Sequence, residues 1–184
     1  INRGGSFDGF SQSCTGVIGA TLTDTWTMAR EMSSRAGGDA GYVGLKGPMT
    51  LPKSKKPNTV AMLQTAGWET ATESAKQQLQ SARNTLEEAG INVIDRSSNE
   101  AVETAEQAIA ESNSLSRGIN AWEGRWPLNT YARDMDADKL SESSRERLEQ
   151  ANAMSQDEFQ DLLKRRDEIR LIFGKLVDHC EACF

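Results

Sequence analysis

The sequence predicts an α/β protein with a parallel βαβ unit near its middle and a mostly helical second half. Two strand-length apolar runs, Val60-Ala61-Met62-Leu63 and Ile91-Asn92-Val93-Ile94, flank a helical pattern from Thr72 to Ala89. Strand, helix and strand in that length make a crossover whose strands lie parallel in one sheet. From Glu100 onward, apolar residues recur at steps of three and four through most of the remaining chain. Neither strand is buried by the βαβ unit alone, so the unit belongs to a larger α/β body.

Composition narrows the class. The chain has 184 residues, so one domain is the default, and a real core can be buried. A net charge of -6 and a pI of about 5.0 argue against a nucleic-acid partner, which normally meets a basic stripe. No apolar stretch approaches the roughly 20 residues that span a bilayer, and no signal peptide is visible, so no membrane partner is expected. Three cysteines cannot complete a disulfide set, which points to a reducing, cytoplasmic compartment. The chain starts at Ile1 and ends in an apolar Cys183-Phe184, and both ends read as cuts through a longer protein. The organisation expected is a single partial domain over 1–184: a Gly-rich loop region and helix (1–57), the βαβ unit (58–96) and a helical region (97–184).

In chain order, residues 1–22 are rich in Gly, Ser and Thr, which suggests turns and close backbone approaches. Walker-type Gly-Lys-Ser is absent, and a surface or pocket-lining loop is preferred over a nucleotide loop. Residues 23–36 predict a helix capped by Thr23 or Asp24, with Trp26, Ala29, Met32 and Ala36 on one face and Gly37-Gly38 as its stop. The stretch from Asp39 to Pro57 reads as a connector whose basic run, Lys53-Ser54-Lys55-Lys56, is a solvated turn. In the βαβ helix, Thr72 is the expected N-cap, Glu73 favours the positive end of the dipole, and Gly90 takes the left-handed closing position. Ala75, Leu79, Ala82, Leu86 and Ala89 align on its expected inner face.

Beyond it, Val102, Ala105, Ile109 and Ser112 step along a helix, and Ile119, Trp122 and Trp126 continue the stripe after a break at Gly118. Pro127 is expected to end it. A polar helix from Leu140 to Met154 turns Leu148 and Ala151 inward and leaves Arg145, Glu146, Arg147 and Glu149 exposed. Ser155-Gln156-Asp157-Glu158 has the form of a capping box. It launches an amphipathic helix with Phe159, Leu162, Leu163, Ile169, Ile172, Phe173, Leu176 and Val177 facing inward. That stripe is wide enough to suit packing on the chain's own sheet better than a coiled-coil seam.

The segment GSFDGFSQSCTGVIGATLTDTWTMAREMSSRAGGDAGYVGLKGP resembles the part of amidase signature enzymes that follows their Gly/Ser-rich catalytic signature. Ser11-Gln12-Ser13, Gly16, Asp24 and Gly38-Asp39 occupy the family's small-residue stretch, glycine, helix entry and closing turn. Gln12, Gly16-Val17 and Ala20 depart from the family's commoner wording and mark a divergent branch. Ala66-Gly67-Trp68 before the long helix, Ala89-Gly90-Ile91-Asn92-Val93 after it, and the Trp122-Glu123-Gly124-Arg125-Trp126-Pro127 stretch carry the resemblance onward.

The resemblance implies a fragment of the amidase-signature fold, a mixed sheet containing the βαβ unit and flanked by helices. It implies hydrolysis of carboxylic amides by a Ser–cis-Ser–Lys triad, with a small-molecule amide as partner and no cofactor. The triad's Gly-Gly-Ser-Ser-Gly-Gly motif is not matched here: Gly4-Gly5-Ser6 lacks the second serine, the closing glycines and an upstream lysine. A serine alkoxide needs a base and oxyanion donors, so no catalytic residue is assigned in this chain and the reactive core is expected before Ile1. An ammonia-releasing subunit of a transfer-RNA-dependent amidotransferase, built on the same fold, is the alternative enzyme. A non-catalytic helical interaction module is the third reading.

Ser11 and Gln12, close downstream of the expected catalytic signature, and Trp122 and Trp126, as an aromatic pair, are the candidate substrate-binding residues. Turn formation is the competing role for Ser11 and Ser13, and core or interface packing for the tryptophans. Glu123 is a single carboxylate without an acid/base partner. His179, Cys180 and Cys183 resemble metal ligands, the cysteines sharing a helical face at i and i+3. A structural zinc site wants four ligands, so no metal is expected and buried, unreactive cysteines are preferred. An incomplete sheet exposes strand edges and apolar faces that invite self-association, hence a homo-oligomer.

Overall fold

The computed structural model describes residues 11–12, 16–36 and 47–184. The chain divides into two compact units: Ile1–Ser54 with Gly118–Gln156, and Lys55–Arg117 with Asp157–Phe184.

The second unit holds the sheet. β1 (Thr59–Ala61) pairs in parallel with β2 (Asn92–Ile94), Val60 opposite Val93, and hydrogen bonding continues past β1 through Met62 N to Ile94 O at 2.8 Å. The crossover is α2 (Glu73–Glu88), entered through the turn Ala66–Trp68. Thr72 caps it as expected, its side chain accepting from Ala75 N at 3.2 Å. Gly90 closes it with a φ of 74°, the left-handed position that favours glycine. Lys56 donates to Ala89 O at 2.5 Å, so one lysine of the basic run serves the negative end of this helix.

The sheet has a third strand, at a place where the sequence predicts a helical face. β3 (Ala182–Cys183) lies parallel to β1 on its other side, Ala61 opposite Cys183, giving the order β2-β1-β3. Cys180 and Cys183 therefore do not share a helical face: the helix gives way to a 3-10 turn, Lys175–Asp178, before either is reached. Val177, expected inward, is 77% exposed for the same reason, since the tighter turn rotates it out of the stripe.

Flanked by strands on both sides, β1 is buried on both faces, as parallel sheets require. On one face Ala61 joins Val102, Ala105, Leu176 and Cys180; on the other Val60 and Met62 join Ile91 and Val93, with Leu79 and Leu86 of α2 packed over them. The inner face of α2 is not the alanine stripe. Ala75, Ala82 and Ala89 are exposed, while Lys76, Leu79, Arg83 and Leu86 are half-buried. Leucines bury more area than alanines, so they set the rotation of the helix.

α3 (Glu100–Ala110) starts at the Asn99 cap and ends at Glu111, and α4 (Ser112–Asp134) then runs unbroken through Gly118 and Pro127. The expected stops thus move to Glu111 and Asp134. Pro127 removes one backbone donor, but Pro127 and Leu128 are both buried, and that packing sustains the helix. In the sheet unit's last helix, α6 (Gln156–Gly174), Ile169 is the most fully buried residue.

In the first unit α1 (Leu22–Ala36) begins earlier than expected. Thr21, not Thr23 or Asp24, accepts from Asp24 N at 3.1 Å and donates to the Asp24 carboxylate at 2.8 Å, a reciprocal cap. Its expected stop at Gly37-Gly38 lies outside the described residues. Trp26 donates to Pro48 O at 3.2 Å. α5 (Glu142–Ala153) is capped by Ser141 and buries Leu148 and Ala151 as expected, with Arg147 half-buried rather than exposed. Among the described residues no helix is long and apolar enough to cross a membrane.

Candidate functional site

The candidate binding residues are contributed by the first unit. The turn at Ser11–Gln12 docks on α4: Ser11 N donates to Glu123 Oε2 at 2.9 Å, and both turn residues are half-buried. Glu123 thus anchors a backbone donor rather than standing as a solitary carboxylate. Trp122 and Trp126, one helical turn apart, lie on one side of α4. The Arg125 guanidinium sits 3.8 Å from the centre of the Trp122 ring, a stacked cation–π contact. Trp122 is half-buried, whereas Trp126 is 64% exposed.

These contacts bring the Ser11 turn to the Trp122–Glu123 turn of α4. The polar turn, the Glu123 carboxylate and the stacked Trp122–Arg125 pair thus lie along one stretch of α4. Ser13 and Cys14 lie outside the described residues.

A second polar cluster, missed in the sequence, lies where β1 and β2 end. Asp95, buried just after β2, accepts from Ser97 Oγ at 2.6 Å, Ser97 N at 2.9 Å, Ser98 N at 3.1 Å and Arg83 Nη1 at 2.5 Å. The Ser97 hydroxyl leads in holding its carboxyl well below the usual range, with Arg83 adding to the effect against the cost of burial. Arg83 is raised in turn, first by Glu87 and then by Asp95. Glu106, buried on α3, accepts from Gln64 N at 2.7 Å, and its other oxygen faces Arg96 Nη1 at 3.4 Å. Crevices at the carboxyl ends of parallel strands are the usual ligand positions in α/β sheets. Asp95, however, is saturated by its own loop and by α2, which makes it a latch between β2 and the helix before it.

Signals for both were present. Asp-Arg-Ser-Ser-Asn directly after a strand is a turn sequence ending in an N-cap. Glu106 is a charge set within the apolar spacing of Val102, Ala105 and Ile109.

Two surface cavities are also lined by described residues. One of about 490 Å³ lies among Asn99, Thr104, Ile172, Lys175 and His179. The other, about 620 Å³, is lined by Tyr131, Met135, Lys139 and Leu140 among others. Neither includes Ser11, Gln12, Trp122 or Trp126. His179 Nδ1 lies 3.4 Å from Asn99 Nδ2, and Cys180 Sγ is 3.9 Å from Cys183 Sγ. Cys180 is buried but Cys183 is exposed, which corrects the expectation that both are buried. Among the described residues no three His, Cys, Asp or Glu side chains gather as a metal site.

No curated protein matches the chain. The family model described as Amidase matches residues 9–182, a span that takes in the Ser11 turn, α4 and all but the last residue of β3. With strand, crossover and helical half in place under that match, the chain belongs to the amidase family of hydrolases.

Proposed function

We propose that this chain is the scaffold and pocket-wall segment of an amidase that hydrolyses carboxylic amides by a Ser–cis-Ser–Lys mechanism. The triad comes from polypeptide preceding Ile1. A serine of that region attacks the amide carbonyl, the amine leaves with a proton, and water then frees the acid from the acyl-enzyme. Ser11, Gln12, Trp122 and Trp126 contribute to the wall that receives the amide. The substrate is a small molecule, the compartment is reducing and cytoplasmic, and self-association into a homo-oligomer is compatible with the open sheet edges.

The observation that carries this reading is the family match over 9–182 in a sequence that contains no Gly-Gly-Ser-Ser-Gly-Gly run. The test is ammonia release from simple amides by the full-length protein, compared with residues 1–184 alone. Turnover by the full-length protein that a serine-directed covalent inhibitor abolishes, with none from the segment, supports it. Inhibitor-sensitive turnover by residues 1–184 alone overturns it.

A further inference from the structure

Cys180 and Cys183 are set in unequal surroundings. Their sulfurs touch at 3.9 Å with only Glu181 and Ala182 between them. The backbone around both is fixed. Cys180 N donates to Leu176 O at 2.9 Å, and its thiol is 3.4 Å from the same oxygen. Glu181 reaches back to the start of β1, accepting from Thr59 N at 2.8 Å, Asn58 N at 3.1 Å and Asn58 Nδ2 at 3.0 Å. Cys183 is registered opposite Ala61, and Phe184 N donates to Ala61 O at 2.9 Å. Cys180 belongs to the buried cluster of Ala61, Val102, Ala105 and Leu176, while Cys183 is open to solvent. A small reagent therefore reaches one sulfur and not the other, and the hidden sulfur is already against its neighbour.

We propose that Cys180 and Cys183 form a reversible dithiol–disulfide site whose co-substrate is a low-molecular-weight disulfide of the glutathione type. Cys183 gives its proton to solvent and its thiolate attacks one sulfur of the small disulfide. The Cys183 sulfur–sulfur bond forms as the small disulfide's own bond breaks, and one small thiolate leaves and is protonated. Cys180, deprotonated in its turn, attacks the Cys183 sulfur and expels the second small thiolate. Two protein thiols are thereby oxidised by two electrons and one small disulfide is reduced to two thiols. Rotation of the two side chains brings the sulfurs from contact to the roughly 2 Å of a disulfide. Paired Cys-x-x-Cys thiols in reducing compartments serve such transient redox roles. Closure ties the end of the 3-10 turn to β3, the strand beside β1.

Cys183 is exposed as a residue, but its sulfur is partly covered where it meets Cys180, and that partial burial, followed by Cys180 itself, pushes the thiol up to about 11. Its thiolate is scarce at neutral pH, so the rate should rise about tenfold per pH unit between pH 7 and 9.

The test uses the full-length protein carrying Cys14→Ser, treated with oxidised glutathione, quenched in acid, then denatured and alkylated. Mass spectrometry reads the tryptic peptide that begins at Leu176. Both thiols should be lost to alkylation together, with two hydrogens missing, no glutathione retained, and full recovery in dithiothreitol. Cys180→Ser should trap glutathione on Cys183, and Cys183→Ser should leave Cys180 unmodified. Glutathione retained on Cys183 with Cys180 still alkylated overturns the proposal. So does full alkylation of both thiols after prolonged treatment at pH 9, or modification of Cys180 in Cys183→Ser at the parent rate.

Discussion

The two compact units use their apolar residues differently. In the sheet unit, Val60, Ala61, Met62, Ile91, Val93, Val102 and Leu176 are buried, and β1 is enclosed from both faces. In the other unit, Ile18, Leu22, Met28, Met49, Trp126, Tyr131 and Met135 are exposed, although Ile119, Leu128 and Leu148 are buried. All four candidate binding residues belong to that second group's unit. The difference is one of proportion. Leu171 and Val177 are exposed in the sheet unit too, but the helical unit carries more of the exposed apolar side chains, while those enclosing β1 hold the sheet.

The largest effect that could break this division is expected at Val102, which is 0% exposed against Ala61 and Leu176. Val102→Asp buries a charge without a partner and should cost about 4 kcal/mol or more, enough to abolish cooperative unfolding. The matched change on the other unit is Leu22→Asp, at a side chain 78% exposed. It should move stability by less than about 0.5 kcal/mol. Chemical denaturation followed by near-ultraviolet circular dichroism measures both. Equal losses would mean that the exposed leucine is structural and that the division is wrong.

Next in size is the Asp95 latch. Asp95→Ala takes the acceptor from Ser97 N and the Ser97 hydroxyl and leaves Arg83 with Glu87 alone, and should destabilise by about 1–3 kcal/mol. The same carboxylate gives the sheet unit an acid limit. Its folded pKa is depressed, so its contribution is complete above the unfolded value near 4 and is lost as pH falls toward the lower folded value. Between pH 5 and about pH 2 the parent should therefore lose more stability than Asp95→Asn. Thermal melts of the two across that range decide it. Parallel slopes would show that the latch does not titrate with folding.

A smaller effect sharpens the local part of the comparison. Gly90 sits at a φ of 74°, so Gly90→Ala should cost about 1 kcal/mol. Removing the Thr72 cap with Thr72→Ala should cost about the same. Urea midpoints check both, and no change at either position would mean that tertiary packing alone sets the ends of α2.

That α2 ends where its sequence indicates reflects how local its signals are. A cap at Thr72, a glycine at Gly90 and two apolar runs all act within a few residues, so they are legible in one dimension. The rotation of α2 is not. Alanine carries too little area to fix a face, and Arg83 is drawn inward by Asp95, which follows the helix. β3 is illegible because two residues hold no periodicity, and its partner β1 lies far back in the chain. Pro127 misleads for a related reason: the penalty of a helical proline is visible in sequence, but the burial that offsets it is not. The same limit applies to the candidate site. Trp122 and Trp126 advertise their shared face at i and i+4, whereas the bond from Ser11 N to Glu123 joins residues 112 apart. Only the folded chain brings those together.

The smallest expected change in stability is also the one that bears most on function. Trp126 is 64% exposed, so Trp126→Ala should alter the denaturation midpoint of the full-length protein by less than about 1 kcal/mol. If its ring forms part of the wall that meets the amide, KM for a small aromatic or aliphatic amide should rise roughly five- to tenfold with kcat little changed. That is the signature of lost uniform binding, since the ring holds substrate and transition state alike. Trp122→Ala is the control on the same face, because its half-buried ring carries Arg125 and its loss should affect both stability and KM. A Trp126→Ala enzyme with parental KM and a clear loss of stability would reverse the assignment. It would make the exposed tryptophan a packing residue, and the helical unit would then resemble the sheet unit more closely than its exposed side chains suggest.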